Sequence, residues 1–373
     1  MFKIYLSTEE ETKIIIKHWI RISNIKLGWI QDFDRFILKY VKFIYYYFIQ
    51  RKIFSANFFM FEIFCSSPKL PKTLTGHKSW VKSIDYSTFG DNQLICSGSC
   101  DTTIRVWDAE TNEQIQLFNE RSHYVNCVKF SQYHHYNNHS NVICSASSNY
   151  IIRFWDLKDN QQLQIISAHT NSVHCIEFSQ FHCGRYLCSG SYDRTIRLWD
   201  VETYKLLHVF NGYENGVSCI DISPLQSNNN NNDKSNSIGV IGGNGYTICS
   251  GSDDKTILVW DIETLKKFIV FKGHKRRITS VKYGSNELGV NGGANTILSG
   301  SEDKSVRLWD LRSNQQSQVF KGHTNWVNTV EYSPLVLSNK VSGNSNVICS
   351  GSGDNTIRFW DIRSNKEELH MIK

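Results

Sequence analysis

The chain has 373 residues, 40% of them hydrophobic and 20% charged, which is the ordinary balance of a soluble globular protein holding two domains or one large β-domain. Its net charge of +6 is uneven: residues 1–70 carry 11 Lys and Arg against 6 Asp and Glu, and residues 71–373 carry 30 against 29. Non-specific phosphate binding has no charge to draw on over the larger part, so nucleic acid is disfavoured as a partner outside the basic first segment.

In chain order, "MFKIYLSTEEE" meets three acids before any long apolar core, which argues against a secretory signal. "STEEETKIIIKHWIRI" opens with a capping box from Ser7 to Glu10, and Ile14, Ile15, His18, Trp19 and Ile22 share a helical face. Past the turn at Gly28, Ile30, Phe33, Ile37, Tyr40 and Ile44 recur at helical spacing, so residues 1–69 are expected to form a helical arm. Its apolar face must cover the rest of the chain, meet a partner helix, or lie on a membrane surface with its lysines outward. Between Val41 and Cys65 the longest uncharged runs are eight or nine residues, short of the roughly 20 that span a bilayer. A soluble cytoplasmic or nuclear protein is expected, with membrane contact only through the arm.

From residue 70 onward one unit returns again and again. "ICSGSCDTTIRVWDAE" stands at 95–110, "LCSGSYDRTIRLWDVE" at 187–202, "ICSGSDDKTILVWDIE" at 248–263, "ILSGSEDKSVRLWDLR" at 297–312 and "ICSGSGDNTIRFWDIR" at 348–363. With a sixth pair at Trp155, the Trp-Asp pairs are spaced by 48, 44, 61, 49 and 51 residues. Each unit reads as a Gly-His-like turn, an alternating strand such as "VKSIDYS", a second such as "NVICSAS", a tight turn at Asp, a third such as "TIRLWD" and a fourth such as "KLLHVF". Four short strands in six copies call for radial packing, because one such sheet cannot bury both faces alone. The cysteines follow the same register: Cys96, Cys144, Cys188, Cys249 and Cys349 share one position with Leu298, and Cys127, Cys175 and Cys219 share another with Ser83, Ser280 and Thr329. Positions that accept Cys, Leu, Ser and Thr are packing positions rather than disulfides or metal ligands.

These units resemble WD40 repeats, and residues 70–373 resemble a WD40 β-propeller. The resemblance implies that a histidine, a strand-b serine, the turn aspartate and the tryptophan form a buried hydrogen-bonded tetrad in each blade. The residues that match are His77, Asp101 and Trp107; His169, Asp193 and Trp199; His274, Asp303 and Trp309; and His323, Asp354 and Trp360. Asp254 with Trp260, and Trp155, match in part: Asn149 stands where the second repeat's turn Asp belongs, and Tyr213 where the fourth repeat's histidine belongs. Those two tetrads are expected to be incomplete and their blades softer. The Ser-His-Asp set thus serves the frame, and neither an enzyme activity nor a cofactor is expected. Ring closure is ambiguous, because "LPKTLTG" at 70–76 and "EELHMIK" at 367–373 both read as a fourth strand for the last blade. Six blades, or seven with the chain cut short, remain open.

Recognition is expected on the face carrying the short d–a and b–c turns, because the long a–b insertions are Asn/Gly/Ser-rich filler. Before the first Val or Ile of strand a stand Trp80, Tyr124, Ser172, Gly216, Arg277 and Trp326. The expected partner-binding set is Trp80, Tyr124, Arg277 and Trp326, then Lys82, Asn126, His174 and Asn328 two places on, with Tyr192 at the rim. His134, His135 and His139 share one filler loop, where a metal site is disfavoured for want of other ligands. "WDLR" and "WDIR" resemble the WDxR signature of substrate receptors for cullin-4-type ubiquitin ligases, which implies adaptor contacts at Arg312 and Arg363. The first reading is a non-enzymatic scaffold docking other proteins; the alternative is such a substrate receptor.

Overall fold

A computed structural model describes residues 74–87, 93–120, 123–167, 169–179, 182–223, 247–262, 264–284, 296–332, 347–362 and 368–372. The arm at 1–69, Arg363 and the insertions after the first, fourth, fifth and sixth inner strands lie outside them.

The described strands form six four-stranded antiparallel sheets, each from four strands consecutive in sequence, and the molecule is a six-bladed β-propeller. Blade 1 comprises β1 (Val81–Ser87), β2 (Leu94–Ser99), β3 (Thr103–Asp108) and β4 (Gln114–Asn119), and blade 2 β5 (Val125–Phe130), β6 (Val142–Ser147), β7 (Ile151–Asp156) and β8 (Gln161–Ser167). Blade 3 comprises β9 (Val173–Phe178), β10 (Tyr186–Ser191), β11 (Thr195–Asp200) and β12 (Lys205–Asn211), and blade 4 β13 (Val217–Ile222), β14 (Thr247–Ser252), β15 (Thr256–Asp261) and β16 (Lys267–Lys272). Blade 5 comprises β17 (Ile278–Tyr283), β18 (Thr296–Ser301), β19 (Ser305–Asp310) and β20 (Gln315–Lys321), and blade 6 β21 (Val327–Tyr332), β22 (Val347–Ser352), β23 (Ile357–Asp361) and β24 (Glu368–Ile372). The competition for the last blade is settled by β24, which pairs with β23; residues 74–76 of the rival stretch are in no strand.

The core lies between blades. Cys96, Ile104, Val106 and Phe118 of blade 1 meet Val125, Val128, Phe130, Ile143 and Trp155 of blade 2, and four further junctions repeat the pattern. Every cysteine of the two repeated positions is buried except Cys349, which is half-buried, and the described cysteines are free thiols. The expectation of loose filler fails in blade 2. There "QYHHYNN" folds into helix α1 (Gln132–Asn138), whose His134 is buried, hydrogen-bonded to Ser131 Oγ at 2.8 Å and to Tyr204 Oη of blade 3 at 3.0 Å. Burial lowers the His134 pKa to about 4, so this histidine is a neutral staple between blades.

Candidate interaction face and the blade tetrads

Four blades carry the full tetrad. In blade 1 the Trp107 indole N–H donates to Ser97 Oγ at 3.0 Å, the Ser97 hydroxyl lies 2.8 Å from His77 Nε2, and His77 Nδ1 donates to Asp101 at 2.9 Å. The same chain runs through Trp199, Ser189, His169 and Asp193, through Trp309, Ser299, His274 and Asp303, and through Trp360, Ser350, His323 and Asp354. Burial would raise the Asp101 carboxyl, but hydrogen bonds from Thr103, the Lys78 amide and His77 outweigh it and hold it at about 2. Burial outweighs Asp101 at His77 and lowers its pKa, leaving a neutral imidazole beside a carboxylate. Each serine is committed on both sides inside the blade, which is a frame's chemistry and not a nucleophile's. The preceding glycine is a packing requirement: a Cβ on Gly76 would stand 2.6 Å from the Arg105 guanidinium and 3.0 Å from the Trp107 ring.

Neither departing blade holds the full tetrad, and each closes its Trp and Ser through other partners. In blade 4 the Trp260 N–H donates to Tyr213 Oη at 2.7 Å, Tyr213 is hydrogen-bonded to Ser250, and the Ser250 hydroxyl donates to the Leu258 carbonyl at 3.2 Å. In blade 2 the acceptor is Glu120, buried and missed in the sequence: Ser145 donates to it at 2.6 Å, Arg153 pairs with its other oxygen, and Trp155 donates to Ser145 at 2.9 Å. The available signal was an acid in the glycine position of "FNER", opposite a strand-c arginine.

The turns that precede the inner strands are held by a hydrogen bond repeated in all six blades. The carbonyls of Trp80, Tyr124, Ser172, Gly216, Arg277 and Trp326 accept from the amides of Cys100, Ser148, Tyr192, Asp253, Glu302 and Gly353. The d–a and b–c turns therefore share one face. On it Trp80, Tyr124 and Trp326 are 47%, 53% and 37% exposed, large values for rings of this size. Opposite them the Arg277 guanidinium lies over the Tyr192 ring, donates to its hydroxyl at 2.9 Å and pairs with Asp253 at 3.0 Å. The Tyr192 ring in turn lies 3.9 Å, centroid to centroid, from His174. Gly216 makes room for it, since a Cβ there would meet the Tyr192 ring at 2.1 Å.

The residues two places on have a structural task that periodicity did not show. Every inner strand is bulged at its second residue, so Lys82, Asn126, His174, Ser218, Thr279 and Asn328 fall out of the a–b ladder. Several reach the next blade. Lys82 Nζ donates to Asn126 Oδ1 at 2.8 Å, Asn126 Nδ2 donates to the Val173 carbonyl at 2.9 Å, and Ser218 and Thr279 donate to the carbonyls of Ile278 and Val327. Asn126 is thereby buried beneath the face and its amide is engaged, while Lys82, over the Tyr124 ring at 5.5 Å, and Asn328 stay half-buried. Arg312 is exposed on the opposite side, its amide donating to Asp310 at 2.9 Å.

A second constellation went unread. The fifth residue of each inner strand is ionisable: Asp85, Lys129, Glu177, Asp221, Lys282 and Glu331. Lys129 pairs with Glu177 at 2.8 Å and Lys282 with Asp221 at 3.3 Å, while Asp85 and Asp221 accept the amides of Phe130 and Tyr283 in the next blade at 2.8 Å. Burial would lower the Lys282 pKa, yet Asp221 and Glu331 hold it above the usual lysine value; burial pushes Asp221 and Glu331 up.

Comparison with known proteins agrees with this geometry. The family described as WD domain, G-beta repeat matches at 68–108, 112–156, 160–200, 204–261, 265–310 and 314–361. Coatomer subunit beta'-1 and coatomer subunit beta'-2 of Arabidopsis thaliana are each 38% identical over 64 residues. That stretch is 17% of this chain and 7% of either relative. On six matched repeats and six four-stranded blades, the chain belongs to the WD40 repeat family.

Proposed function

We propose that this protein is a non-enzymatic scaffold that docks other proteins on the face of its d–a and b–c turns. One observation carries the reading: Trp80, Tyr124 and Trp326 stand exposed on turns whose carbonyls are pinned across the face. Exposed rings on a rigid backbone are the usual anchors of protein interfaces, each worth ~2 kcal/mol or more. Trp80 and Tyr124 of adjoining blades 1 and 2, with Trp326 of blade 6, then offer apolar anchors, and the Arg277–Tyr192–His174 stack a polar counterpart. The two matched coatomer subunits are by name parts of a larger assembly, which fits a docking role. The test is affinity capture from lysate with wild type and the Trp80→Ala/Trp326→Ala double variant. Loss of a defined partner set at unchanged thermal stability supports the reading, and an unchanged set rejects this face.

A further inference from the structure

The face of the d–a and b–c turns is divided by chemistry. In each b–c turn the residue after the turn Asp, or after Asn149 in blade 2, lies in the left-handed region: Thr102, Tyr150, Arg194, Lys255, Lys304 and Asn355, at φ between 64 and 73. Gly and Asn fit that region best, yet blades 3, 4 and 5 place a long cation there, and all three cations are exposed. These blades are neighbours, joined by the clusters that span blades 3 and 4 and blades 4 and 5. A disfavoured conformation kept for a cation in three consecutive blades points to a task for the side chain. Lys275 and Arg276, exposed on the d–a turn of blade 5, add two more positive charges. Among the described residues none of these five cations forms an ion pair. The acids of the same turns are answered within the face. Asp253 pairs with Arg277 at 3.0 Å, and Asp193 and Asp303 face the strand-c guanidiniums of Arg197 and Arg307 at 3.6 and 3.3 Å. Glu214 is the one exposed acid of these turns. On the c–d turns of blades 1 to 3 the sign is reversed, with exposed Glu110, Glu113, Asp159 and Glu202 against Lys158. Arg277 ties the cationic part together: from blade 5 it pairs with Asp253 of blade 4 and donates to Tyr192 of blade 3. The turns that carry Arg194, Lys255 and Arg276 are thereby linked through one guanidinium.

We propose that the turns of blades 3 to 5 dock an acidic segment of a partner protein, its carboxylates meeting Arg194, Lys255, Lys275, Arg276 and Lys304. The inference rests on the docking role proposed above and gives the partner its chemistry. Charge complementarity selects the occupant: the outermost charges are cations, and the acids around them are already engaged or turned inward. Long exposed cations orient and select an anionic partner, while the rings of blades 1, 2 and 6 supply the anchors. A nucleic-acid strand fits this surface less well. Glu214 stands among the cations with Asp254 and Glu302 half-buried beside them, and a continuous phosphate backbone would meet all three. An acidic segment with polar residues between its carboxylates can pass them.

Fluorescence anisotropy on the full chain, with a labelled peptide of alternating Glu and Ser residues, tests this. Arg194→Gln/Lys255→Gln/Lys304→Gln should weaken binding about tenfold or more and flatten its salt dependence. Arg194→Lys/Lys255→Arg/Lys304→Arg, which keeps the charges on the same turns, should bind as wild type does. Lys158→Gln/Lys266→Gln/Lys267→Gln removes as many charges from the opposite side and should leave binding unchanged. A wild type that does not bind the peptide, binding that survives the neutral turns, or equal weakening by both neutral variants overturns the proposal. So does a labelled single-stranded RNA that binds as tightly as the peptide and is lost in the same variant. Capture from lysate separates this outcome from the docking role itself. Partners lost with Trp80→Ala/Trp326→Ala but kept by Arg194→Gln/Lys255→Gln/Lys304→Gln leave the docking face standing and overturn its acidic partner.

Discussion

Replacing Lys282 by Met keeps the length of a buried side chain and deletes one charge from the inner ring. Lys282 and Asp221 lie 3.3 Å apart with side chains 9% and 11% exposed, and Glu331 and Glu177 add to the potential at the ammonium. Removing one partner of a buried pair leaves the other uncompensated, which costs about 3–5 kcal/mol, whereas an exposed pair is worth at most ~1 kcal/mol. Urea unfolding followed by tryptophan fluorescence at pH 7 should therefore show a loss of about 3–5 kcal/mol at unchanged slope. The pH dependence separates charge from packing. A carboxyl whose folded pKa is raised contributes stability that is full below its unfolded value and is lost as pH rises through the folded one. Burial already pushes Asp221 and Glu331 up, and without Lys282 both rise further. The gap between wild type and Lys282→Met must then narrow as pH falls from 7 toward 5. A loss below ~1 kcal/mol, or a gap that widens in acid, refutes the reasoning.

Tyr213→Phe removes the hydroxyl that accepts the Trp260 N–H and bonds Ser250 inside blade 4; about 1–3 kcal/mol should be lost in chemical denaturation, with β14 and β15 exchanging first. The His323 pKa is lowered because burial outweighs Asp354, so its contribution is complete above the unfolded value of about 6.5 and falls as the unfolded chain takes up protons below it. The stability difference between wild type and His323→Gln should accordingly shrink from pH 7.5 to pH 5; a difference that grows would mean a charged imidazolium held by Asp354. Lys304 occupies the left-handed region at φ 68, in the b–c turn of blade 5, so Lys304→Gly should raise the unfolding midpoint slightly, by up to ~1 kcal/mol, and Lys304→Val should lower it.

What the sequence made legible was whatever repeats with a fixed side-chain type. The six Trp-Asp pairs and the alternating strands located the blades, and Cys96 and its counterparts could be recognised as packing positions because Leu298 substitutes for them. Three things stayed hidden for definite reasons. A bulge shifts the facing of a strand by one residue, so Asn126, which simple alternation places on the face of the d–a and b–c turns, turns under it to reach the Val173 carbonyl. Glu120 replaces a histidine from a different sequence offset, and only the three-dimensional path of the turn brings its carboxylate to Ser145. The inner charges escaped because Asp85, Lys129, Glu177, Asp221, Lys282 and Glu331 share no single sign or residue type, and the pairing that tolerates both signs is visible only around the ring.

The two rewired blades show what selects the residues of this frame. In blade 4 the histidine and the strand-c arginine are both gone, replaced by Tyr213 and Leu258, and the network shortens to one that needs neither. In blade 2 the histidine's task passes to Glu120, and there the arginine, Arg153, is kept because a buried carboxylate needs it. Donors and acceptors balance in both cases, although the residue types differ. In each blade the b–c turn also holds the d–a turn, the carbonyls of Trp80, Tyr124 and Trp326 accepting from the amides of Cys100, Ser148 and Gly353. On the proposed docking role, turns held in this way leave less backbone entropy to lose when a partner covers those rings. The buried tetrads thus bear on the proposed docking face only through the turns on which Trp80, Tyr124 and Trp326 stand.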